Sequence, residues 1–357
     1  MKDRGVLDLL RRAVRMPALA MTHLYAHVPT SVPTLGARFN YSLLKRTARY
    51  GRIRAQMVRA GSVITLEAYA KINLTLEILG KRSDGYHELR SIVMPVTLSD
   101  TIALTSTYAQ TAMTITAGPG VDLTKIGSME RNLAVRAARL MQHRYQVNAG
   151  ARIHIHKRIP IGGGLGGGSA DAAGVIVGLN RLWELGRPRA ELMALGAELG
   201  SDIPALIHGG AVLMEGRGER VRGLFEDMPV SACRGFWLVI ANPGIMCSTP
   251  EVFRKWRAGL TVSPLLLHNM TLSIRTSDVS AAALALHNGL QPAVYESYPG
   301  VAQTAARLQE AGCLGVLLSG SGASVFGLAR DEAHGREISR RLGAGVWHVV
   351  AQTCPVV

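Results

Sequence analysis

Residues 157–174 read KRIPIGGGLGGGSADAAG, and six of the seven positions 162–168 are glycine. Such a run costs chain entropy, so it belongs where the backbone must approach something closely or adopt a positive φ. An Ala-rich stretch with helical character, 169–184, follows at once. The N–H groups that open such a helix, with the helix dipole behind them, form a place for phosphate. A flexible linker is the competing reading. It fits poorly between the alternating strand pattern ARIHIHK at 151–157 and a strong helix former.

Two familiar phosphate motifs fail here. Gly162, Gly164 and Gly167 formally satisfy G-x-G-x-x-G. A dinucleotide fold needs a second strand ending in an acidic residue about 20 positions on, whereas residues 169–199 read as helical. A Walker A loop needs Lys before its Ser or Thr, and here Gly168 precedes Ser169. A lysine for chemistry must therefore come from another part of the chain.

Outward from the loop, 62–69 and 72–79 alternate as strands on either side of Lys71, and Asp84-Gly85 signals a turn. Residues 88–105 read as one or two more strands, 131–146 and 189–199 as helices. The mixed segment 215–235 is taken as a boundary. Beyond it, strands are expected at 236–241, 314–318, 323–328 and 346–351, and helices near 249–257, 278–288, 299–311 and 331–342. Strands grouped early and βα alternations late predict an α+β chain of two layered domains. The expected division is 1–60 as a basic extension, 61–228 as an N-terminal domain and 229–357 as a C-terminal domain.

The 357 residues are 48% apolar and 18% charged, enough for a sizeable core. The formal charge of +15 is unevenly spread. Residues 1–60 hold twelve Lys or Arg against Asp3 and Asp8, which leaves only +5 for the rest. No nucleic-acid partner is therefore expected of the main body, and its modest excess suits an enzyme handling phosphates. The extension is Arg-rich and acid-poor, like a transit peptide, but contains only Ser31 and Ser42. A poorly ordered tail, or a true start at Met57, fits as well. Cytoplasmic location is expected, with plastid targeting as the minor alternative. Cys233, Cys247, Cys313 and Cys354 match no zinc or disulfide pattern and read as reduced thiols. No apolar run reaches the ~18 residues of a membrane span. Oligomeric state stays open, a homodimer included.

Three separated blocks make the sequence resemble the GHMP kinases: AKINLTLEILGKRSDGYHEL (70–89), the glycine loop with its flanks (157–174) and LLSGSGASVFG (317–327). Two more, LGSDIPALIHGGAVLMEGRGE (199–219) and NPGIMCSTPEVF (242–253), resemble the branch acting on a cytidine diphosphate-linked methylerythritol. Residues 217–236 look longer than that pattern. The resemblance implies an N-terminal domain like domain 2 of ribosomal protein S5, a ferredoxin-like C-terminal domain and a cleft between them. It implies ATP with Mg²⁺, and transfer to the 2-hydroxyl of 4-diphosphocytidyl-2-C-methyl-D-erythritol in the non-mevalonate isoprenoid route.

Site residues follow from the resemblance. Lys71 and Asp202 would be catalytic, although by local physics Lys71 could be a surface lysine and Asp202 a helix N-cap. Pro160, Gly162, Gly163, Gly164, Leu165, Gly166, Gly167, Gly168, Ser169 and Ala170 would hold ATP. Asn73, Tyr86, His87, Lys157, Thr249, Phe253, Ser321 and Gly322 would contact the substrate, with Tyr86, His87 and Phe253 around the cytosine. Metal ligands are unknown; Ser169 is a weak candidate. His154 and His156 share a strand face, read as polar surface rather than a metal pair.

Overall fold

The computed structural model describes residues 62–225, 235–257 and 264–354, all within one unit spanning Gln56–Val357. The basic extension 1–60, the Met57 start and Cys233 lie outside the described residues.

The two strands expected around Lys71 are one, β1 (Val63–Lys81). It forms a long antiparallel hairpin with β2 (His87–Thr107). Three register shifts interrupt the pair, the first between Tyr69 and Lys71. A bulge re-aims side chains without ending the strand. This explains why the alternation breaks at Lys71 while the strand continues. Asp84 shapes the hairpin turn by accepting a bond from the Tyr86 amide at 3.1 Å.

The large sheet runs in the order β3 (Ala112–Ala117), β4 (Gly150–Lys157), β2, β1, β8 (His287–Asn288). The near half of β2 also pairs β5 (Val212–Gly216), which pairs β6 (Arg220–Gly223). Helices α1 (Leu133–Tyr145), α2 (Gly167–Leu182), α3 (Arg189–Ala197) and α4 (Ile203–His208) complete this layer. The Ala-rich α2 lies close on the sheet. A Cβ at Gly174 would meet Ile102 Cδ1 at 2.6 Å.

The second sheet has the order β11 (Trp347–Gln352), β7 (Trp237–Asn242), β10 (Val325–Ala329), β9 (Val316–Leu318), with every adjacent pair antiparallel. Around it lie α5 (Thr249–Lys255), α6 (Pro264–Thr276), α7 (Val279–Leu284), α8 (Gln291–Ser297), α9 (Pro299–Glu310) and α10 (Glu332–Leu342). This antiparallel order, with α9 and α10 joining its strands, is the ferredoxin-like arrangement expected of the C-terminal domain. One hydrophobic cluster joins Ile72, Ile102 and Trp183 of the first layer to Leu238, Ile240 and Phe326 of the second.

The segment 215–235, read as boundary, contains the end of β5 and all of β6. β5 is a short apolar run, VLMEG, that shows no period and pairs with both β2 and β6, whereas the edge strand β6, RVRG, carries Arg and Gly and depends on β5 for what local propensity lacks. β3, α6, β8 and α8 were also not legible in the pattern, whereas α4 begins where Asp202 was read as a possible N-cap. Among the described residues no helix is long and apolar enough to cross a membrane.

Candidate active site

A cleft of about 900 Å³ opens where the two layers meet. The register shift after Tyr69 puts Lys71 on its wall, 5% exposed. Its ammonium lies 2.8 Å from Asn73 Oδ1 and 3.4 Å from Asp202 Oδ2. Asn73 in turn donates to Ser91 Oγ at 2.8 Å, which fixes its amide. Asp202 immediately precedes α4, yet its side chain makes no capping hydrogen bond. Pro204 in the first turn supplies no N–H, which lowers the demand for a cap. The carboxylate is thereby left to face Lys71.

The glycine loop adjoins this pair. Gly162, Gly164 and Gly166 adopt φ of 69°, 74° and 70°, a conformation closed to most side chains. A Cβ at Gly166 would lie 3.0 Å from Lys71 Cγ and 3.7 Å from Asp202 Oδ2. Gly166 is also the N-cap of α2, and no side chain caps that helix. Its first N–H groups need partners that the helix itself cannot supply, beside a positive dipole end.

The third motif closes the loop from the other side. Ser319 Oγ donates to Gly164 O at 3.0 Å, and the Ser324 amide donates to Gly163 O at 2.9 Å. Ser321 and Gly322 line the cleft, and Ser321 Oγ lies 2.8 Å from Thr249 Oγ1. Buried Asn288 donates to Leu318 O and Gly320 O, and so holds this second glycine turn.

The far end of the cleft is aromatic. His87 packs against Phe253 with ring centroids 5.0 Å apart, and edge-on against Trp256 at 5.5 Å. Burial and nearby Lys81 hold the His87 ring below the usual histidine range. Tyr86 keeps 57% of its surface exposed, with the Arg217 guanidinium 5.0 Å over its ring. Trp256, Arg217 and Arg254 also line the cleft and were missed by sequence reasoning. Trp256 was findable, because it follows Phe253 by three positions within the helix expected at 249–257, although the structure ends α5 at Lys255 and makes Trp256 its C-cap.

Of the expected residues, Lys71, Asn73, Tyr86, His87, Gly162, Gly164, Gly166, Ser169, Asp202, Thr249, Phe253, Ser321 and Gly322 share this one cleft. Pro160, Gly163, Leu165 and Ala170 are buried behind it, and Gly167 and Gly168 open α2. Lys157 requires a correction. It does not line the cleft, and its ammonium is buried between Asp100 and Asp171. Burial opposes that charge, but the two carboxylates together hold the ammonium above the ordinary lysine value.

His154 and His156 sit on the polar face of β4, bonded to Thr114 and Thr116 of β3. No cluster of three metal-ligating side chains occurs among the described residues. Cys247, Cys313 and Cys354 are free. Burial pushes the Cys247 thiol, on the cleft wall, up to about 11.

Sequence profiles match the chain in two places: "GHMP kinases N terminal domain" at residues 132–210 and "GHMP kinases C terminal" at residues 270–347. The 4-diphosphocytidyl-2-C-methyl-D-erythritol kinase of Pelotomaculum thermopropionicum is 40% identical over 283 residues, covering 78% of this chain and 93% of that protein. Its counterpart in Gloeobacter violaceus is 40% identical over 280 residues, covering 77% and 88%. A crystal structure of 4-(cytidine 5'-diphospho)-2C-methyl-D-erythritol kinase superposes with a TM-score of 0.66 at 31% identity, over 82% of this chain and 99% of that one. Homoserine kinase from Cytophaga hutchinsonii gives 0.62 at 18% identity, over 82% and 95%, a likeness of fold alone.

Proposed function

We propose a function from one premise: this chain belongs to the GHMP kinase superfamily, on the branch of the 4-diphosphocytidyl-2-C-methyl-D-erythritol kinases. It transfers the γ-phosphate of ATP to the 2-hydroxyl of 4-diphosphocytidyl-2-C-methyl-D-erythritol, in the non-mevalonate route to isoprenoid precursors. The observation that carries the chemistry is the Lys71–Asp202 pair, 3.4 Å apart and beside Gly166 of the glycine loop.

Phosphoryl transfer asks for positioning and charge neutralisation more than for covalent chemistry. The uncapped N-terminus of α2 and the positive-φ glycines support binding of the nucleotide phosphates there. Lys71 draws the γ-phosphate and the acceptor oxygen together, and Asn73 orients its ammonium. Asp202 accepts the hydroxyl proton as the new P–O bond forms and the bond from the γ-phosphorus to the β–γ bridging oxygen breaks, with ADP as the leaving group. Tyr86, His87, Phe253 and Trp256 take the cytosine. Arg217 and Arg254, also on the cleft wall, supply positive charge toward the substrate's diphosphate.

The oxygen donors of the cleft, the Ser169 hydroxyl and the Asp202 carboxylate, suit Mg²⁺. That ion binds few protein groups and keeps waters and nucleotide oxygens. When bound, it neutralises charge on the ATP phosphates.

A coupled ADP-release assay with a panel of acceptors tests this reading. ADP should appear with the cytidine compound and not with mevalonate, homoserine or galactose. Turnover of one of those acceptors, without turnover of the cytidine compound, would reassign the chain to a sibling activity.

A further inference from the structure

Lys157 ends β4, three residues before Pro160 leads the chain into the glycine loop. Its ammonium bonds Asp100 Oδ2 at 2.5 Å and Asp171 Oδ2 at 2.7 Å. Asp100 is fully buried on β2 and also accepts from the amides of Arg158 at 2.5 Å and Ile159 at 2.9 Å. Asp171 stands in α2, past the loop. One ammonium therefore ties the strand that leads into the loop to the helix that leaves it, and β2 anchors both.

A loop with almost no side chains cannot fix its own shape, so its geometry must be imposed by its surroundings. The upper constraints are the Ser319, Ser324 and Lys71 backbone and side-chain bonds to Gly164, Gly163 and Leu165. The lower ones are the triple and Ile159. A Cβ at Gly167 would meet Ile159 Cγ2 at 2.9 Å and Lys157 Nζ at 3.5 Å. Three buried charges are a poor way to gain stability, because well-packed apolar residues do as well or better. Among the described residues Asp171 Oδ1 even lacks a partner. What directional, charge-assisted bonds add is a fixed distance and angle.

We propose that Lys157, Asp100 and Asp171 are positioning residues that set the spacing of β4 and the N-terminus of α2, and with it the shape of the phosphate-binding loop, without touching the nucleotide. The proposal rests on the reading of the loop as the ATP phosphate site. Removing Asp171 should loosen nucleotide binding and leave the cytidine end alone.

Calorimetry with ADP, without acceptor, reads this directly. Asp171→Leu and Asp171→Ser both drop the bond to Lys157 but leave the Lys157–Asp100 pair, so whichever folds can be used. We expect ADP affinity to fall about tenfold while CDP affinity stays within twofold. Asp171→Asn, which keeps an oxygen for Lys157, should restore ADP affinity to within about threefold. Val175→Ala, a buried change in the same helix, controls for stability alone. Three results would each overturn the proposal: ADP affinity changed less than twofold, ADP and CDP weakened together, or Val175→Ala matching the loss of ADP affinity. A wild-type protein that binds CDP but no ADP would overturn the nucleotide reading, and this proposal with it.

Discussion

The Lys71 ammonium lies 3.4 Å from the Asp202 carboxylate, although one residue comes from a bulged strand and the other from the turn before α4. Each side chain is placed by something local. The register shift turns Lys71 inward, and the absence of a capping bond leaves Asp202 available. Lys71→Ala or Asp202→Asn should lower kcat by about 10²-fold or more, the scale of losing one transition-state electrostatic contact. The ADP-release assay measures this, and near-normal turnover in either variant would remove that residue from the chemistry.

Phe253 and Trp256 both touch the His87 ring. Phe253→Ala should raise KM for the cytidine acceptor roughly tenfold, since aromatic stacking on a base contributes about 1–3 kcal/mol. Trp256→Ala should move KM in the same direction. KM for ATP should not move in either variant. An ATP effect as large as the acceptor effect would show that the aromatic end shapes the whole cleft instead.

Gly164 has φ +74°, and a Cβ there would meet Ser319 O at 2.3 Å. Gly168 has no neighbour within 4 Å of such a Cβ. Gly164→Ala should therefore lower Tm by roughly 3–10 °C and abolish turnover, given strain of about 1–3 kcal/mol. Gly168→Ala should leave Tm unchanged. Equal melting curves for the two variants would contradict the constrained loop.

Burial, with Lys81 adding to it, lowers the pKa of His87. As pH falls, an ordinary histidine gains its proton near pH ~6.5, while His87 stays neutral to lower pH. KM for the acceptor should accordingly stay flat through that region and rise only below it. His87→Gln should abolish the rise. Lys81→Gln removes a repelling charge and should shift the rise toward higher pH. A shift the other way would contradict the assigned cause.

Much was legible from residue order. Chain entropy makes a glycine run without function improbable, so the loop at 162–168 announced itself, as did the α2 that follows it. Periodicity exposed β4, α1 and α10, because each buries one face over several residues, and continuous apolar runs exposed β7 and β10, which are buried on both faces. β5, β6 and β8 left no such mark, since their pairing partners supply their stability. Lys157 misled for a related reason. A lysine beside a phosphate loop looks like a ligand, and only the fold brings Asp100 and Asp171 around its ammonium.

The sequence by itself pointed to a phosphate site on a bare backbone, because backbone freedom is a local property, while its resemblance to the GHMP kinases, not local physics, singled out Lys71 and Asp202 for phosphoryl transfer. Tertiary structure alone decided that those two groups meet, that Trp256 and Arg217 join the cleft, and that Lys157 lies beneath the loop instead of facing it. Contacts between distant segments depend on strand register and packing, and neither is encoded at any single position.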